Sequence, residues 1–141
     1  MDNLKFVDIL LVEDNPADAR IINDYFESSN VNIKHVTDGF KALDYIYQKG
    51  RYKNVSLPDI VFLDINMPKV NGMTVLKTIK KDENLKKIPV IVLGTSGDSK
   101  EVKSAYESNA NCYITKPIDY DHFDTILGCI EKFWTKIATI P

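Results

Sequence analysis

The sequence predicts an α/β fold: a single doubly wound five-stranded parallel sheet with helices on both faces. Three observations predict it. Apolar strand-like runs alternate five times with amphipathic stretches along the chain. Two runs, IVFLD at 60–64 and VIVLG at 90–94, are apolar without alternation, as expected of strands covered on both sides. The 141 residues suffice for one domain, 1-141, with one proper core. Parallel neighbours need crossovers, and these are right-handed, so the helices must fall on both faces.

Taken in order, DILLVED (8–14) is an apolar run ending in two acids, after which Asn15-Pro16 supplies a cap and a helix-starting proline. The first helix follows, with Ala17, Ile21 and Tyr25, and also Ile22 and Phe26, at i, i+4 spacing. VNIKHVT (31–37) alternates like a half-buried edge strand. The stretch 38–50 places Phe40, Leu43 and Tyr47 on one helical face and ends at Gly50. A polar loop leads to the third strand, Ile60 to Asp64, then a turn through Pro68 and Gly72 and a helix carrying Met73, Leu76 and Ile79. Pro89 opens the fourth strand; the helix after it turns Val102, Ala105 and Tyr106 inward. CYIT is the fifth strand, and from Asp119 to about Ala138 a last helix bears Phe123, Ile126, Leu127, Ile130, Phe133, Trp134 and Ile137.

Composition excludes several classes. A hydrophobic fraction of 44% and a charged fraction of 27% suit a globular domain, and no apolar run approaches a bilayer span, so no membrane role is expected. The start of the chain has neither a basic segment nor a cleavage site, so a cytoplasmic location is expected. Net charge is −2 and the lysines Lys77, Lys80, Lys81, Lys86 and Lys87 are interspersed with Asp82 and Glu83, a solvated face with no nucleic-acid partner expected. Cys112 and Cys129 lack metal or redox spacing and are expected as two buried thiols. His35 and His122 are expected at the surface, without carboxylate or cysteine partners at metal spacing.

The chemistry collects at the carboxyl ends of the strands, where ligands of such sheets bind. The first strand ends in Glu13 and Asp14, the third in Asp64, the fourth in Gly94, Thr95 and Ser96, the fifth in Thr115, Lys116 and Pro117. In the order 2-1-3-4-5, strand one adjoins strand three and three carboxylates converge. Either one keeps its proton or a hard cation joins them, and oxygen-only ligation favours Mg²⁺ over zinc. Lys116 adds a fixed cation and the Gly-Thr-Ser turn adds backbone N–H groups, which together make a phosphoryl pocket.

At these residues the sequence resembles the receiver domain of two-component response regulators, a flavodoxin-like (βα)5 fold. LLVEDN, FLDINMP followed by NGM, IPVIVL and YITKP stand in the family's order at the expected strand ends. ANCYITKP with EKFW and a closing IP is similar to single-domain regulators that partner phytochrome-type histidine kinases. The resemblance implies that Asp64 accepts a phosphoryl group from a sensor histidine kinase. It further implies Mg²⁺ held by Asp14, Asp64, the backbone carbonyl of Asn66 and Glu13, the last directly or through water. Lys116 would contact the phosphoryl oxygens, with a cis bond to Pro117, and Tyr113 would occupy the aromatic switch position. One residue departs from the pattern: Gly94 stands where the family carries threonine or serine, leaving the Thr95 hydroxyl or backbone N–H as the nearest substitute. With no output domain expected after residue 141, signalling would run through protein contacts.

Other readings stand beside this one. Asp64 could cap a turn, Lys116 could be a surface lysine, and Tyr113 could be core. A pseudo-receiver that binds partners without phosphorylation is a rival that Gly94 supports. An aspartyl-phosphate phosphatase is another, although Asn66 stands where it would need a second aspartate. The last helix offers a wider apolar stripe than one sheet face buries, so Trp134 is either core or part of a homodimer surface built on the fourth and fifth helices.

Overall fold

In the computed structural model, which describes residues 6–67, 70–95, 97–117 and 119–141, five strands lie side by side, all parallel, in the order β2-β1-β3-β4-β5. They are β1 Val7–Val12, β2 Val31–Val36, β3 Ile60–Asp64, β4 Val90–Gly94 and β5 Cys112–Thr115. The helices between them are α1 Pro16–Phe26, α2 Gly39–Ile46, α3 Gly72–Lys81, α4 Ser99–Glu107 and α5 Tyr120–Lys132. Pro68 and Ser96, both read from the sequence as turn residues, lie outside the described residues.

The helices start where the chain supplies an oxygen for their unpaired N–H groups. Each α-helix is preceded by Asn15, Asp38, Asn71, Asp98 or Asp119, whose side chain accepts a backbone N–H of the first turn.

The uniformly apolar strands are explained by two cores, one on each sheet face. Leu10, Val12, Val61, Leu63, Val90 and Val92 point towards α2, α3 and α4, against Ile46, Leu76 and Ala105. Ile9, Leu11, Ile60, Phe62, Ile91 and Leu93 point the other way, against Ile22 and Phe26 of α1 and Phe123 and Leu127 of α5. Period-two alternation persists, but both faces are dry, so no polar residue marks it.

Several sequence expectations change at the helices. In α1 the buried residues are Ala19, Ile22 and Phe26, and Ala17 is exposed. In α2 they are Gly39, Ala42, Tyr45 and Ile46, whereas Phe40 and Tyr47 face outward. Helix α2 stops at Ile46; Gly50 opens a single 3₁₀ turn, Gly50–Tyr52, with φ of 58°. Tyr106 is exposed and Ala105 alone is the buried residue of α4. Cys129 is exposed and Cys112 half-buried; both are free thiols, but only one is even partly sheltered. Beyond α5 the chain widens into a π-helical turn, Phe133–Ile137, closed by the Ala138 N–H on the Phe133 carbonyl at 2.7 Å.

Candidate functional site: an acidic rim at the sheet switch point

Strand register, more than any loop, assembles the site. Val12 pairs with Leu63, Asp64 with Leu93, and Gly94 with Thr115. The residues at or just past those partners, Glu13, Asp64, Gly94 and Lys116, therefore line up across the carboxyl edge of β1, β3, β4 and β5. The crevice sits between β1 and β3, where the order reverses.

The Glu13 and Asp64 carboxylates are each held by a backbone N–H two residues further on. The Glu13 N–H donates to the Val36 carbonyl at 3.1 Å, and the His35 ring Nε2–H donates to the Glu13 carbonyl at 2.8 Å. The Glu13 side chain folds inward, fully buried, where one oxygen accepts the Asn15 N–H at 3.2 Å. Asp14 stays exposed at the mouth. Asp64 is 2% exposed, and its Oδ1 accepts the Asn66 N–H at 2.8 Å in an Asx turn. Behind it, α3 begins so close to β3 that a Cβ at Gly72 would collide with the Asp64 carbonyl oxygen.

Lys116 closes the group from β5. Its side chain is 7% exposed, with Nζ 2.6 Å from Glu13 Oε1, 3.0 Å from Asp18 Oδ2 and 3.4 Å from Asp64 Oδ2. The Lys116–Pro117 bond is trans, contrary to the cis bond implied by the resemblance. The lysine is held in place by its own N–H, which donates to the Gly94 carbonyl at 2.7 Å.

The electrostatics follow from crowding. Burial, helped by neighbouring Asp64, pushes the Glu13 carboxyl up to about 8. Burial and Asp64 also raise Asp14. Burial pushes Asp64 up as well, but hydrogen bonds from Glu13 and the Asn66 N–H, with the Lys116 charge, outweigh it and hold Asp64 below the usual range. Burial would lower Lys116, yet Glu13, Asp64 and Asp18 raise it above the ordinary lysine value.

This donor set fits a hard divalent cation. Oxygens of Glu13, Asp14 and Asp64 lie within 4.8 Å of one another. With Asp18, four carboxylates face one ammonium, an excess of three formal negative charges, or two with Glu13 protonated. Glu13 Oε1 is buried without a hydrogen bond of proper direction, despite the ammonium at 2.6 Å.

The far side of the crevice carries a second network. The Thr95 N–H and hydroxyl both donate to Asn66 Oδ1, at 2.9 and 3.0 Å. Asn66 Nδ2 donates to Glu101 Oε1 at 3.2 Å, and the Tyr113 hydroxyl donates to the same oxygen at 3.0 Å. The Tyr113 ring lies inward over Gly94, where a Cβ would collide with its Oη and Cζ. Burial and the Glu101 carboxylate raise the Tyr113 phenol above its ordinary value.

The structure brings Glu13, Asp14, Asp64, Asn66, Gly94, Thr95, Tyr113 and Lys116 to the same edge of the sheet. The sequence reading missed Asp18, Glu101 and the Asn66 side chain. Asp18 carried a usable signal: it lies four residues after Asp14, in the first turn of α1 on the same rim.

The family model described as the response regulator receiver domain matches residues 9–127. The chain is similar to response regulator Rcp1 of Synechocystis sp., 38% identical over 94% of this chain and 92% of that protein. A crystal structure of the Mn²⁺-bound form of Rcp1 superposes with a TM-score of 0.91, at 37% identity, covering 96% of this chain and 99% of that one. The phosphorylated cyanobacterial phytochrome response regulator RcpA superposes at 0.92, at 41% identity, with the same coverage.

Proposed function

Because this chain belongs to the response regulator receiver family, we propose that Asp64 carries a phosphoryl group received from a phosphohistidine of a sensor histidine kinase. The observation that carries this reading is the convergence on buried Asp64 of Glu13, Asp14 and Lys116 at the sheet switch point. In the transfer, an Asp64 carboxylate oxygen attacks phosphorus, a P–O bond forms, the P–N bond breaks, and its electron pair leaves with the imidazole nitrogen. Asp64 suits a nucleophile because its lowered pKa keeps it ionised. Lys116 is placed to meet the added negative charge. Gly94 offers no hydroxyl, so Thr95 supplies the N–H and hydroxyl nearest that strand end.

Glu13, Asp14, Asp64 and the Asn66 backbone carbonyl would hold Mg²⁺, which supplies charge neutralisation at phosphoryl oxygens when bound. The Mn²⁺ in the Rcp1 structure supports a divalent ion. Likeness to Rcp1 and to the phytochrome regulator RcpA supports a phytochrome-type kinase as donor. We further take the domain to act in the cytoplasm, as a signalling protein whose output runs through protein contacts, including a homodimer built on α4 and α5. Among the described residues no helix is long and apolar enough to cross a membrane. Asn66 lacks the carboxyl that a phosphatase would need two residues after its nucleophile, which favours a phosphoryl carrier over an enzyme.

Intact-mass analysis with a small acyl-phosphate donor and Mg²⁺ tests the assignment. One phosphoryl mass is expected on the wild type and none on Asp64→Ala. Retention of the added mass in Asp64→Ala would move the acceptor elsewhere, and no gain in the wild type would favour a phosphorylation-independent binding module.

A further inference from the structure

We propose that the Asn66 side chain is an internal stand-in for a phosphoryl oxygen, clamped by Glu101, and that phosphorylation must displace it and so release the Tyr113 hydroxyl from Glu101. The inference rests on the reading of Asp64 as phosphoacceptor. It begins with the orientation of one amide. The backbone N–H of Thr95 can only donate, so Asn66 Oδ1 must face Thr95, which leaves Nδ2 facing Glu101 Oε1. A single carbonyl oxygen thereby uses both Thr95 donors.

Those donors are the ones a phosphoryl group needs. Thr95 directly follows Gly94, the residue after Leu93, which pairs with Asp64. Asn66 is tied by its N–H to the Asp64 carboxylate, so its side chain rises within one turn of the acceptor. With glycine at 94, a phosphoryl oxygen on Asp64 has to recruit Thr95, and the acceptor already there must yield.

Glu101 makes the clamp a coupling device. Its Oε1 receives both the Asn66 amide and the Tyr113 hydroxyl, so the amide and the inward ring share one oxygen atom. The ring can occupy this position because residue 94 has no Cβ. An incoming phosphoryl group takes Thr95 from Asn66, and the displaced amide no longer holds Glu101 Oε1 in place, which loosens the ring. Inward is therefore the resting position of Tyr113 in this protein, and activation loosens it. Asn66 and Glu101 act as positioning residues: their clamp reduces apparent affinity for a phosphoryl group by the fraction of molecules in which it is open.

The test is calorimetric titration of beryllofluoride with Mg²⁺ into the full chain, with amide hydrogen exchange at Thr95 as a second readout. Removing the internal acceptor in Asn66→Ala should tighten binding about five-fold, the scale of one neutral hydrogen bond, and speed Thr95 exchange. Glu101→Leu should also bind more tightly, whereas Glu101→Gln, which keeps an accepting oxygen, should stay within about two-fold of wild type. Unchanged or weaker binding by Asn66→Ala, or equal gains from Glu101→Leu and Glu101→Gln, overturns the proposal and leaves only a charge effect. Failure of the wild type and every variant to bind beryllofluoride overturns the phosphoacceptor reading and this inference with it.

Discussion

At the scale of single residues, Glu13 and Asp64 are adjacent carboxylates with opposite fates, because one is buried beside a negative neighbour and the other collects the donors. The contrast gives a pH prediction for the metal-free protein. Unfolded, Glu13 releases its proton near 4.5; folded, it keeps it up to about 8. Between those values the native state holds the extra proton, so this contribution to stability is full below 4.5 and lost as pH rises through about 8. Raised Asp14 acts in the same direction. Lowered Asp64 acts below its ordinary value, and raised Lys116 above its own, so neither offsets the trend in this window. Urea unfolding in chelator should show lower stability at pH 8.5 than at pH 5.5, and Glu13→Gln should flatten the difference. A wild type equally stable at both would contradict the burial argument. The identities of Glu13, Asp14, Asp64 and Lys116 were legible because each ends or follows an apolar run. Glu101 was not, because its partners, Asn66 just past β3 and Tyr113 on β5, lie far off in the sequence and nothing local pairs them.

Among the elements, the strands were legible and the helix faces only partly so, for one physical reason. A strand buried on both faces needs only apolar residues, while a helix face is chosen by what it meets. Phe40 and Tyr47 are large, yet small Ala42 and Gly39 are buried, since Gly39 lies against Val70 without room for a side chain. Gly72 has the same meaning at the site: α3 is docked on the carbonyl of the residue proposed to carry the phosphoryl group. Gly72→Ala should therefore destabilise the domain by about 1–3 kcal/mol through overpacking and slow the gain of phosphoryl mass by displacing Asp64. Asn71→Ala removes the α3 cap, in which the Asn71 side chain accepts the Thr74 N–H at 3.0 Å. It should cost about 1 kcal/mol and leave the rate near that of the wild type. Urea unfolding with timed intact mass separates the two; equal rate losses would show that helix stability, not the docking contact, governs Asp64.

On the scale of the whole molecule, chemistry and surface stickiness lie at opposite ends of the sheet. The rim holds the charges, while beside Ile91 and Cys112, near the amino ends of β4 and β5, an apolar groove of about 490 Å³ is lined also by Cys129, Ile130, Phe133 and Trp134. Trp134 is half-buried: it packs partly on the α1/α5 core and also lines the groove. Phe133 and Ile137, on the π-helical turn, are 47% and 62% exposed. The apolar stripe of the last helix thus exceeds what one sheet face buries, by Phe133 and Ile137. Burying such a strip against a second copy would remove apolar surface worth roughly 25 cal/mol per Å² before association costs are met. We expect light scattering to report a dimer for the wild type and a monomer for Phe133→Asp combined with Ile137→Asp. Both positions are already solvent-facing, so the charges should not unfold the protomer. Because they lie far from Asp64, the variant should still gain one phosphoryl mass. A wild type that is monomeric with and without beryllofluoride would remove the homodimer from the reading and leave the exposed strip to a different partner.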